Sequence, residues 1–119
     1  MRMNVVTLVE AIAREEGFYV RGTRAQRNFN PGDLEFGNFA AHHGATGSDG
    51  RFAIFPDAAT GFAALRELLM TDYAGMTLVA ALNRFAPPFE NDTTRYLENV
   101  LLMTGLVADT ILTDKLLGI

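Results

Sequence analysis

Apolar residues Val5, Leu8, Val9 and Ile12 fall at i, i+3, i+4 and i+7, the spacing of one helical face. They predict a first helix from about Asn4 to Glu16. Glu16 lies four residues after Ile12 and continues the apolar stripe, whereas Glu15 sits further round, towards solvent. Gly17 supplies the left-handed residue that ends a helix. Residues 17–33 then lose periodicity and are dense in turn formers, so they read as loop. Leu34-Glu35-Phe36 alternates like a short strand, followed by a turn at Gly37-Asn38. Gly44 to Gly50 reads as a tight turn leading into an extended apolar segment, Arg51-Phe52-Ala53-Ile54-Phe55-Pro56.

Helical periodicity returns after Asp57. Phe62, Leu65, Leu68 and Leu69 share a face, Asp57 or Thr60 caps it, and Tyr73 and Gly75 close it. Thr77 caps a third helix bearing Leu78, Ala81, Leu82 and Phe85, which Ala86-Pro87-Pro88 stops. Asn91 or Asp92 starts a fourth, with Tyr96, Leu97, Val100 and Leu101 inward and Gly105 as terminator. Asp109 is expected to cap a short last helix reaching Leu117. The fold class this predicts is α+β, mainly α, with a small β region inserted after helix one. Helix one should pack against the helices bearing Leu65, Leu82 and Leu97.

Composition narrows the function classes. The 119 residues suit one domain with a real core; 49% are hydrophobic and 20% charged, as in ordinary soluble domains. A net charge of −4 and scattered single arginines argue against nucleic acid as the main partner. With no cysteine, thiolate metal sites and disulfides are excluded. His42-His43 are adjacent and lack a third ligand, so no zinc site is expected. The glycine-rich turn lacks the Lys-Ser/Thr ending of a phosphate loop. No segment approaches the length of a membrane span, and no signal peptide is visible.

The residue that stands out is Glu16. A carboxylate on a buried stripe is costly unless paired or protonated, and burial raises its pKa towards that of a general acid working near neutrality. The alternative is that Glu16 rims the core with its carboxylate in water, or pairs with an arginine between Arg21 and Arg27. Those arginines serve an anionic ligand, nearby acids or simply solvent.

The order of short motifs resembles the lytic transglycosylase catalytic domain of the lysozyme-like superfamily, including small phage and bacterial lysozyme-like proteins. Arg14-Glu15-Glu16-Gly17 is similar to that family's Arg-x-Glu-Ser, with glycine for serine. Asn30-Pro31, Gly44-Ala45-Thr46-Gly47 and the Gly50–Pro56 segment resemble its later turns and its Gly-Leu-Met-Gln-x-x-Pro run. Asn83 to Pro88 and Asp92-Thr93-Thr94-Arg95-Tyr96 resemble its last motifs. Two departures stand out: Ala53 replaces a glutamine, removing a substrate hydrogen bond, and Phe85-Ala86-Pro87 replaces the Asn-Ala-Gly context.

The resemblance implies a lysozyme-like fold and cleavage of the β-1,4 bond between N-acetylmuramic acid and N-acetylglucosamine. Glu16 would be the general acid/base, and Tyr96, Phe52, Phe55, Asn30 and Asn91 would contact substrate. Phe52, Phe55 and Tyr96 are expected to floor a cleft beside Glu16. The family's one-glutamate mechanism is preferred; Asp33, Glu35 and Asp49 are the acids available as a second carboxylate. No cofactor is implied. The expected partner is peptidoglycan, met by a monomer at the bacterial cell wall after delivery by phage lysis or another route. Two other classes stay open. A non-catalytic virion-structural or glycan-binding module would bind walls without cutting them. A chitinase-like hydrolase would prefer chitin oligomers.

Overall fold

The computed structural model describes residues 5–117. Six helices and a two-stranded antiparallel sheet lie among them: α1 Leu8–Glu15, α2 Arg24–Arg27, α3 Asn38–His42, β1 Gly47–Ser48, β2 Ala53–Ile54, α4 Ala58–Asp72, α5 Leu78–Phe85 and α6 Thr93–Thr104. The chain is thus α+β and mainly α, with its β part between α1 and α4.

The longer helices begin where side-chain acceptors replace missing backbone partners. The side chains of Thr7, Asp57, Thr77 and Asp92 accept from the backbone N–H groups of Glu10, Thr60, Ala80 and Arg95. Capping by Thr7 moves the start of α1 later than the apolar spacing suggests. Val5 precedes the cap and is 60% exposed, so it is not part of the buried stripe. The expected start at Asn4 lies outside the described residues.

Leu8, Val9 and Ile12 are buried as expected, in one core with Leu65, Leu69, Leu78, Leu82 and Val100. The principal partners of α1 are α6 and α4, and α5 packs on α6. Leu97 is half-buried against the same core. Gly61, inside α4, lies against the 28–31 loop. A Cβ there would sit 2.0 Å from the Phe29 carbonyl oxygen, so only glycine lets the helix approach this closely.

The small sheet departs from the sequence reading. Part of the glycine-rich turn is itself strand: Gly47 and Ser48 pair with Ile54 and Ala53. Leu34–Phe36 contributes a single bridge, Glu35 to Phe52. Within the stretch read as loop, α2 forms under a Thr23 cap, and α3 occupies the place assigned to a turn. The short last helix is absent. Residues 110–112 instead lie extended across the start of α5, where Leu78 N–H donates to the Thr110 carbonyl and Leu112 N–H to that of Met76, and only a turn forms at 114–117. Ile111 bridges Thr77, while Leu112 and Leu117 are buried. Backbone pairing with another element has replaced the helical pattern there. No described helix is long and apolar enough to cross a membrane.

Candidate functional site

Glu16 is the C-terminal cap of α1, and Gly17 behind it adopts φ +81°. That turn lets Phe18 N–H donate to the Ala13 carbonyl at 3.0 Å, closing the helix and fixing where the Glu16 side chain leaves it. Packing of α1 on α6 then brings in a residue eighty positions away. The Tyr96 hydroxyl donates to Glu16 Oε2 at 2.7 Å. Tyr96 is only 6% exposed, and both burial and the adjoining carboxylate raise its own pKa well above that of a free phenol. It therefore stays a proton donor across any physiological range.

Burial pushes the Glu16 carboxyl up to about 7. The Tyr96 hydrogen bond opposes this, and the nearby carboxylates of Asp33 and Glu15 add to it. A substantial fraction of Glu16 is protonated near neutrality. Glu15 is not the solvated residue its helical position suggests. It accepts from Asn99 Nδ2, also on α6, at 3.0 Å, because α6 covers the flank of α1 as well as its stripe.

Glu16 opens into a cleft of about 670 Å³ between the helices and the β region. Asp33 lines the same cleft. Its backbone is in the left-handed region, at φ +48°, and its Oδ1 is buried without a hydrogen-bond partner among the described residues. Desolvation raises its pKa too. Asp33 is thus a desolvated, unsatisfied carboxyl close enough to Glu16 to raise the Glu16 pKa.

The other two acids have structural duties. Asp49 Oδ1 accepts from the N–H groups of Phe52 and Arg51 at 2.8 and 3.1 Å, and its Oδ2 from Asn28 Nδ2 at 2.9 Å. These bonds, those from the backbone of Phe52 foremost, lower its pKa to about 2. Glu35 accepts from Arg51 Nε at 2.7 Å, and Arg51 Nη2 reaches Glu90 at 3.0 Å. Arg51 thereby joins the β region to the α5–α6 loop at the cleft.

The expected substrate contacts divide. Tyr96 lies on Glu16, while Phe52 and Asn91 line the cleft. The Phe52 ring is engaged by the guanidinium groups of Arg24 and Arg51, 4.2 and 4.8 Å from its centroid. It supports cations rather than forming a bare apolar floor. Phe55 is 1% exposed and belongs to the core, not the cleft. Asn30, fully buried, is also misassigned as a substrate contact. Its Nδ2 donates to the carbonyls of Leu34 and Ala53, and its Oδ1 accepts from Leu34 N–H, so its polar groups are spent holding the loop.

Arg24 pairs with Asp49 at 3.7 Å, and Arg27 donates to the Gly22 carbonyl, so neither pairs with Glu16. Arg84, Tyr73 and Phe85 form part of the helical wall and were not singled out by sequence. Tyr73 reads as a helix end and Phe85 as a helix-face residue, and nothing in the local pattern marks Arg84. Among the described residues no group of three or more His, Cys, Asp or Glu is placed to hold a metal ion.

In comparison with known proteins, the chain matches no family model and no curated protein.

Proposed function

We propose that this chain cleaves the β-1,4 bond between N-acetylmuramic acid and N-acetylglucosamine in peptidoglycan, using a lysozyme-like arrangement of helices around a small β region. Glu16 acts as the general acid. The observation that carries the reading is a carboxyl with its pKa near 7, half-buried in an open cleft and held by a buried tyrosine. Breaking a glycosidic bond requires a proton on the departing oxygen, and a neutral glutamic acid supplies it at physiological pH. Lysozyme is the standard precedent for a glutamic acid tuned this way. In the one-glutamate course the carboxylate so formed, still accepting from the Tyr96 hydroxyl, serves as base for the second half of the reaction.

Asp33 favours hydrolysis as the outcome. Its unpartnered oxygen in the same cleft suits a carboxylate that activates the attacking water while Glu16 protonates the departing oxygen, the role of the second acid in inverting glycosidases. The one-glutamate alternative closes the muramic acid on itself and leaves an anhydro end. Mass spectrometry of purified peptidoglycan after digestion tests both points. New reducing ends from the unmodified chain, absent with Glu16→Gln, support hydrolysis; anhydro ends remove Asp33 from the chemistry. Wall binding without any cleavage would leave a glycan-binding module, and cleavage of chitin oligomers in preference to muropeptides would make the chain chitinase-like.

A further inference from the structure

The arginines of the cleft are not equivalent. Arg24 and Arg51, on the β side, both have carboxylate partners. Arg84, at the end of α5 on the helical side, has none among the described residues. It is nevertheless held in place. Its Nη1 donates to the Asp72 carbonyl at 2.9 Å, and its guanidinium lies 4.7 Å from the centroid of the buried Tyr73 ring. Those restraints use one nitrogen and one face. Nε and Nη2 have no acceptor among the described residues, and together they form the side-on edge of the guanidinium, whose two parallel N–H groups match the two oxygens of a carboxylate. Arg84 lines the cleft into which Glu16 opens.

We propose that the Nε–Nη2 edge of Arg84 is an anion subsite that receives a carboxylate carried by the glycan substrate. The inference rests on the reading of the cleft as a peptidoglycan site and adds a substrate requirement to it: an acidic strand, not a neutral one. Two parts of peptidoglycan carry that chemistry, the lactyl carboxylate of muramic acid where no peptide is attached and the carboxylates of the stem peptide where one is. Tyr73 and the Asp72 carbonyl fix the fork before ligand arrives, so little side-chain order is lost on binding. Lysine keeps the charge but not the fork, and is expected to replace arginine only in part.

Binding is measured by calorimetry in the Glu16→Gln background, so turnover does not interfere, with and without Arg84→Gln. Four tetrasaccharides serve as probes: a peptide-free muropeptide glycan, the same glycan with its lactyl carboxyls amidated, a peptide-bearing one, and chitotetraose. Arg84→Gln is expected to weaken the acid-bearing ligands by about tenfold to a hundredfold, with chitotetraose unchanged. Loss on the peptide-free glycan that disappears on amidation assigns the lactyl carboxylate; loss confined to the peptide-bearing ligand assigns the stem. Arg84→Lys, with circular dichroism as a check on folding, should fall between. Equal loss on all four ligands, or no loss, overturns the subsite. Wall digestion by the unmodified chain is scored separately. Cleavage with no dependence on Arg84 leaves Glu16 its role and removes this subsite; acid-selective binding without cleavage does the reverse.

Discussion

Two carboxylates, one at a helical seam and one in the β region, are driven in opposite directions. Glu16, at the seam of α1 and α6, is desolvated and moves up to about 7. Asp49, in the turn between β1 and β2, is held by backbone N–H groups and moves down to about 2. The helical seam removes water and offers one hydroxyl, which is too little to hold the charge. The β turn offers two backbone donors, Asn28 adds a third, and the group stays in contact with solvent, so the charge is kept. One arrangement yields a proton donor, the other a structural clasp. The number of hydrogen bonds to the charged form, set against the loss of water, decides which.

The largest expected effect lies on the helical side. Glu16→Gln should reduce wall cleavage by about 10²–10⁴-fold, read by turbidity or by release of soluble fragments. Its effect on stability has the opposite sign. The raised pKa means that the native state binds more protons than the unfolded chain between the ordinary glutamate value and about 7. Stability is therefore lost as pH rises through that window, and the amide removes the loss. Chemical denaturation should show the variant more stable by roughly 1–3 kcal/mol at pH 8 and nearly unchanged at pH 4. Equal stability at both would mean that Glu16 is well solvated, and the contrast with Asp49 would vanish.

Next in size is the anchor of the β side. Asn30→Ala leaves buried carbonyls of Leu34 and Ala53 and the Leu34 N–H without their partner. A loss of about 2–4 kcal/mol is expected in urea unfolding. A change below the error of the measurement would show that the loop is held mainly by its apolar contacts.

Tyr96→Phe should act on the pH profile more than on the rate at low pH. The hydroxyl is the group that lowers the Glu16 pKa, so its removal moves the alkaline limb of activity upward. Carboxyl chemical shifts followed through a titration would read this directly, and a downward move would contradict the direction of the hydrogen bond's effect. The smallest change is at Asp49. With its folded pKa depressed, its contribution is complete above the ordinary aspartate value and fades as pH falls towards 2. Asp49→Asn should flatten that acid-side loss in a series of thermal melts, with activity at neutral pH unaltered.

Much of the helical side was legible in the order of residues. α4, α5 and α6 announce themselves through caps at Asp57, Thr77 and Asp92, and through the stops at Pro87-Pro88 and Gly105. Glu16 stands out because it continues an apolar stripe. The β side was less legible because its elements are too short for periodicity to register: α2 has four residues, and each strand two. Phe52 and Phe55 could have been separated, since an odd spacing along an extended segment points side chains to opposite faces. One lines the cleft and the other fills the core.

The sequence by itself determined the periodic helices, their capped starts and the carboxylate on the stripe, because these depend on neighbours within a few positions. Tertiary structure alone decided that Tyr96 meets Glu16, that Asn99 takes Glu15, and that Asn30 serves the loop. It also decided that, among the described residues, Asp33 Oδ1 finds no partner and the Nε–Nη2 edge of Arg84 no acceptor, while that of Arg51 is taken by Glu35 and Glu90. Each of these is a matter of which distant groups arrive within 3 Å and how much water they displace. Desolvation and hydrogen bonding, not residue type, set what a carboxyl or a guanidinium can do, and both depend on packing across the whole chain.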